Sequence, residues 1–214
     1  MKIDHIFIFT DDYGKVADLL IDFGWVEGSS RIHTGQGTTN RKFYFDNFFF
    51  EVLWVYNQDE LRSPLTKPTG LWKRADFQKN NSSPFGLCLV NTDDTDVLFV
   101  NSYKYQPIYF PSGLALDVIQ HDNNRGLPWT FRLPFKGQQT NASEPKVHPN
   151  GIRQLTNTVF EYQSQTENSF VDQFKKEASI HFEYSSRNWL TLTFDDGRTG
   201  RTAQFTELQL TISY

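Results

Sequence analysis

The strongest constraint on the fold is a short unit that reads as present twice, once at each end of the chain. MKIDHIFIF opens the first copy and NFFFEVLWV, residues 47–55, closes it; GIRQLTNTVF and QFTELQLTIS hold the same places in the second. Laid over each other, the copies set His5 opposite Gln154 and Glu51 opposite Glu207. A chain that repeats such a unit is expected to pair the copies and to enclose a pocket between them.

Each copy reads as strand, helix and three strands. Residues 2–9 mix β-branched and aromatic types and end at Thr10, Asp11 and Asp12, whose side-chain oxygens suit the unpaired first amides of a helix. Val16, Leu19, Leu20 and Phe23 then recur at helical spacing, and Gly24 supplies the left-handed turn that ends the run. Strands are expected near 25–33, 38–46 and 47–55, the last two joined through Asp46 and Asn47. In the second copy a strand at 151–161 leads through a polar stretch, Gln163 to Asn168, into a helix carrying Phe170, Val171 and Phe174. Strands near 179–185, 188–195 and 203–213 follow, with a turn at Asp196 and Gly197.

Residues 56–150 fit neither unit. They hold two expected strands, 85–90 and 96–102, then a path through Tyr103, Tyr105, Pro107, Tyr109, Phe110, Pro111 and Gly113. Proline removes ladder donors, so this stretch is expected to cover or wall the pocket. The expected class is α+β: paired βαβββ modules at 1–55 and 151–214 forming curved sheets around a shared cup, with 56–150 between them.

Composition narrows the function. Of 214 residues 38% are hydrophobic and 20 are Phe, enough for a sizeable core. A net charge of -4 without a basic stretch argues against binding nucleic acid. No apolar run is long enough to span a membrane and no signal peptide is apparent, so a cytoplasmic protein without membrane partners is expected. The single Cys88 agrees with a reducing compartment, which makes the glycosylation-type patterns at Asn80, Asn81 and Asn141 coincidental.

Strand alternation places His5 with Ile3 and Phe7, and Glu51 with Phe49 and Leu53, so both polar groups sit among apolar neighbours and need partners. Gln154 lies with Thr156 and Thr158, and Glu207 with Gln209, Thr211 and Ser213, on faces that suit either a wet cup or solvent. The plain alternatives are a satisfied core histidine, a Glu51 paired to Arg41 or Lys42, and two exposed strand residues. A second constellation, His33, Gln36, Thr38, Asn40 and Arg41, surrounds Gly35 and Gly37; such a loop either holds a polar atom of a substrate or is strand-end turn chemistry. His121 reads as solvated, His148 as ordering the lead-in to the second unit, and His181 as facing either way. Cys88 reads as a small buried side chain. Phosphate-loop, dinucleotide, paired-cysteine and serine-elbow motifs are absent.

A βαβββ unit used twice, with His in the first strand and Glu in the fourth, resembles the vicinal oxygen chelate superfamily of glyoxalases, bleomycin- and fosfomycin-resistance proteins and extradiol dioxygenases. HTGQGTTNRKFYFDNFFFEVLWV at 33–55, SPFGLCL at 83–89, PSG at 111–113 and HPNGIRQL at 148–155 are similar to its glyoxalase-like branch. The resemblance implies a divalent metal such as Zn, Ni, Fe, Mn or Co between the modules, with His5, Glu51, Gln154 and Glu207 as ligands and Glu51 or Glu207 moving a proton. It implies lyase, isomerase or dioxygenase chemistry on a small oxygenated molecule; the alternative is a metal-free protein that binds or sequesters one in the same cup. Two modules in one chain make a monomer the default expectation, with a homodimer the alternative.

Overall fold

Thirteen strands in two sheets are seen in the structure, a computed structural model describing residues 1–139, 141–163 and 168–214. The larger sheet contains β1 (Ile3–Phe9), β2 (Ile32–His33), β3 (Thr38–Tyr44), β4 (Phe49–Val55), β5 (Phe85–Asn91), β6 (Tyr103–Tyr105), β7 (Leu116–Ile119) and β8 (Trp129–Lys136). Its order is β2-β3-β4-β1-β5-β8-β7-β6. At its centre β1 and β5 run antiparallel, flanked by β4 parallel to β1 and β8 parallel to β5. Each half is a strand, a helical segment and three further strands, the last of which returns beside the first.

The α+β class with paired modules therefore holds, but the pairing differs from the expected one. The first unit shares its sheet with residues 85–136, the stretch read as a cover. That order was hidden because residues 96–102 read as a strand, whereas Asp93–Phe99 is a helix. Thr92 and Thr95 form its capping box and Asp93, Asp94 and Asp96 sit in its first turn, where the helix dipole favours acidic groups. Those residues were the available sequence signal.

The first helical segment is a short 3-10 turn, Lys15–Ala17, running into a helix at Asp18–Asp22. Asp12 accepts from the backbone N–H of Gly14 and Val16 at 3.0 and 2.6 Å, and Gly24 takes a φ of 103° at the far end. Of the strand expected at 25–33 only Ile32–His33 pairs as β2, apart from a single bridge at Glu27.

The C-terminal sheet contains β9 (Leu155–Tyr162), β10 (Ile180–Tyr184), β11 (Trp189–Phe194), β12 (Thr202–Phe205) and β13 (Leu210–Ser213), in the order β10-β9-β11-β13-β12. Here the strand after the helix lies directly beside the first strand, so this unit is not a twin of the N-terminal one. The strand expected at 203–213 is interrupted by a 3-10 turn at Thr206–Leu208, with Gln209 at a φ of 48°. The polar lead-in expected from 163 to 168 falls largely on residues 164–167, outside those described; Asn168 caps the helix Ser169–Asp172 by accepting from Phe170 N–H at 2.9 Å.

Alternation along the central strands divides the interior into two cores. Ile6, Ile8, Phe43, Phe50, Leu87 and Leu89 face the C-terminal sheet and pack with Phe160, Leu190, Phe194 and Ile212. Phe7, Phe9, Leu53, Cys88, Trp129 and Phe131 face the other way, under the helices carrying Leu61, Leu71 and Phe77. The join between sheets is also polar. His148 accepts from Val26 N–H through Nδ1 and donates through Nε2 to the Tyr44 carbonyl, both at 2.9 Å, while Asn47 bonds the backbone of Leu155 in both directions. No helix among the described residues is long and apolar enough to cross a membrane.

Candidate functional site

The second of these faces opens into a cavity of about 250 Å³. Its polar wall comes from the first half of the large sheet: His5 on β1, Asn40 and Lys42 on β3, Glu51 on β4, and His33, Gln36 and Arg31 around β2. The facing half is apolar, with Trp129, Phe131, Leu133 and Phe135 from β8, joined by Leu116, Tyr109 and Phe110. Period-two alternation explains the polar wall, since Asn40 and Lys42, and Phe49, Glu51 and Leu53, are every second residue of antiparallel neighbours.

His5 is held on all sides. Its ring stacks on Phe49 with centroids 4.3 Å apart and meets the edge of Phe131 at 5.2 Å. The register of β1 against β5 shifts between Ile3 and His5, and this irregularity brings the Asp4 carboxylate within 2.7 Å of His5 Nδ1. With Nδ1 donating to Asp4, the lone pair of the neutral imidazole lies on Nε2, which no group bonds among the described residues. Such a nitrogen can accept a hydrogen bond or a proton from a bound molecule.

Glu51 is only 7% exposed and accepts from Asn40 Nδ2 at 2.7 Å. Asn40 Oδ1 in turn accepts from Arg31 N–H at 2.8 Å, so one amide ties the carboxylate to the rim. A second chain sets His33. Tyr109 donates to Gln36 Oε1 and Gln36 Nε2 donates to Thr38 Oγ1, each at 2.9 Å, leaving the Thr38 hydroxyl to donate to His33 Nδ1 at 2.9 Å. His33 is thereby the tautomer with its proton on Nε2. Burial is the main cause lowering its pKa to about 4, opposed by Glu51 and reinforced by Arg31, Lys42 and His5, so it is a neutral donor near pH 7.

The structure thus gathers His5, Glu51, His33, Gln36 and Asn40 into one cavity, with Thr38 buried behind them orienting two of the five. Arg41 is not part of it. On the opposite face of β3, its guanidinium donates to Glu27, to Asp18 and to the Gly14 carbonyl, contacts that raise its pKa. Gln154 and Glu207 are also elsewhere, both exposed. Gln154 precedes β9 and donates its backbone N–H to Asp195 Oδ1 at 3.1 Å; Glu207 lies on the turn that interrupts the last strand. Both expectations rested on the C-terminal unit being the module's partner, and that unit lines no part of the cup. Their alignment opposite His5 and Glu51 does not bring the four side chains into one cavity.

The implied four-ligand metal set does not fit this cup. His5 and Glu51 face it, but of the strands that take the place of the second module β8 presents Trp129, Phe131, Leu133 and Phe135 instead of oxygen donors, and β5 contributes no lining residue. Among the described residues the one group of three His, Cys, Asp or Glu with potential ligand atoms within 4.8 Å is Asp4, His5 and Cys88. Burial pushes the Cys88 thiol pKa up, and the nearby Asp4 charge adds to the shift.

Sequence reasoning missed Asp4, Arg31, Lys42 and the β8 aromatics, while Tyr109 and Phe110 lie on the stretch expected to cover or wall the pocket. Lys42 was legible from its parity with Asn40, whereas Asp4, Arg31 and the β8 aromatics depend on the bulge, the loop and the true pairing. His121, expected in solvent, is packed against Phe170 at 4.5 Å and lies 3.2 Å from Thr130 Oγ1; burial, with Arg74 nearby, pulls its pKa down to about 3.

No family model matches the chain and no curated protein matches it in sequence. Among solved structures, a hypothetical protein from Staphylococcus aureus is similar over 99% of this chain and 98% of its own, with a TM-score of 0.61 at 14% identity. A hypothetical protein from Bacillus halodurans gives a TM-score of 0.40 at 14% identity, over 65% of this chain and 98% of that one. A variant of 4-hydroxymandelate synthase from Streptomyces coelicolor gives 0.44 at 9%, over 99% of this chain and 61% of that one. The staphylococcal likeness is one of fold, and it extends across both sheets.

Proposed function

We propose that the protein binds a small oxygenated molecule in the cup, on a glyoxalase-like version of the vicinal oxygen chelate fold, and that it does so without a metal. The observation that carries this reading is the division of the cavity into a polar wall and an apolar one. Such a cavity buries the body of a small ligand and orients its oxygens by a few fixed donors and acceptors. Metal independence follows from the donor chemistry of β5 and β8, which supply no second pair of ligands. Because both halves of the cup lie in one chain, the proposed working unit is a monomer.

The test is a thermal-shift screen of a metabolite library against the protein and a Leu133→Trp variant whose added ring fills the cup. A ligand that binds the native state raises its melting temperature. Stabilisation of the native protein that the variant loses is the expected result. If no compound is selective for the open cup, the reading fails.

A second reading places a divalent ion on Asp4, His5 and Cys88, favoured by the closeness of three groups of zinc-ligand type. Elemental analysis of protein purified without chelator separates the two. Stoichiometric metal that Cys88→Ser abolishes would establish the second, and a substoichiometric trace supports the first.

A further inference from the structure

We propose that the molecule held by the cup is an organic anion with a flat apolar body, its acidic head set against Arg31 and His33. The inference rests on the binding reading above and names its ligand class.

Charge balance within the wall is the first support. Lys42 stands across the β3–β4 ladder from Glu51, the single carboxylate of a lining that also holds Arg31, so the wall carries one more cation than it has carboxylates to balance. Arg31 is then the uncompensated group. It makes no ion pair among the described residues, and its guanidinium lies over the Tyr109 ring at 4.7 Å. The acceptance of its backbone N–H by Asn40 fixes the rim beneath it. In a chain of net charge -4, where most of the cations near β3, β7 and β8 have carboxylate partners, an unpaired guanidinium facing a cavity is suited to an incoming anion.

The second support is the direction of the His33 proton. The chain from Tyr109 through Gln36 and Thr38 leaves Nε2 as a donor, and the low pKa keeps the ring neutral, so His33 contributes an N–H without a second charge. A guanidinium fork beside an imidazole N–H matches the two oxygens of a carboxylate. Phe49, Phe110, Trp129 and Phe131 supply flat surfaces for the remainder, and a cavity of about 250 Å³ limits that body to one or two rings.

The test compares 2-naphthoate with the isosteric neutral 2-naphthamide by isothermal titration calorimetry, on the native protein, Arg31→Gln and Leu133→Trp. The native protein is expected to bind the carboxylate about tenfold or more tightly over the amide, the effect of one charge-assisted hydrogen bond. Arg31→Gln is expected to bring the two affinities together at an unchanged melting temperature, because Arg31 is exposed. Equal affinities in the native protein, or a carboxylate preference that survives Arg31→Gln, overturn the anion class. If the amide binds as tightly as the carboxylate and Leu133→Trp removes both, the cup reading stands while the ligand class falls. Binding of neither compound, together with a blank library screen, overturns both.

Discussion

Single residues in the cup owe their protonation and direction to partners that sequence spacing does not reveal. His33 is the clearest case, since its donor Nε2 is set by a chain that ends at Tyr109, far along the sequence. Its pKa of about 4 lies below the 6.5 of an ordinary histidine, so the folded state binds this proton less readily than the unfolded chain. The neutral ring therefore contributes stability that is complete above pH 6.5 and is lost progressively as pH falls toward 4. His121 and His148, also lowered, act with the same sign. A difference curve of unfolding free energy between the native protein and His33→Gln, measured by urea titration, should fall across that window. A flat difference would show that His33 is not buried as described. Alternation alone made the facing of His5 and Glu51 legible, and it also separates Asn40 from Arg41, which point to opposite sides of one strand.

At the scale of elements, the β1–β5 seam depends on an absent side chain. Gly86 lies across from Phe7, and a Cβ there would come within 2.0 Å of the Phe7 ring, which itself lines the cup. Gly86→Ala should therefore cost about 1–3 kcal/mol by overpacking and drive the ring toward the cavity. Equilibrium denaturation gives the first quantity and the affinity of any cup ligand the second; an unperturbed variant in both would mean the seam is looser than described. The strands of the first unit were readable from apolar alternation and its helix from capping chemistry. The helix Asp93–Phe99 was not, because Val97, Leu98 and Phe99 fit either period, and only its acidic, threonine-capped start marks it as helical.

Across the whole molecule, the C-terminal sheet acts as a backing plate for the large sheet and contributes nothing to the cup lining. Phe194 is fully buried where the two meet, with Phe45, Phe48 and Trp25 around it at 4.8 to 5.9 Å. Phe194→Ala should destabilise the protein by about 3–5 kcal/mol while leaving cup affinity unchanged under conditions where the protein stays folded. A variant that instead loses ligand affinity without losing stability would assign the C-terminal sheet a direct part in the site. The sequence by itself determined the α+β class, the faces of the central strands, and the presence of His5 and Glu51 on one apolar face, because side-chain period and local capping are properties of neighbouring residues. Which stretch completes the sheet beside β1, and therefore which residues face His5 and Glu51, was decided only by tertiary structure. Strand pairing joins residues as distant as Phe7 and Gly86, and two units with the same apolar rhythm, 85–136 and 151–214, could each have satisfied the open edge.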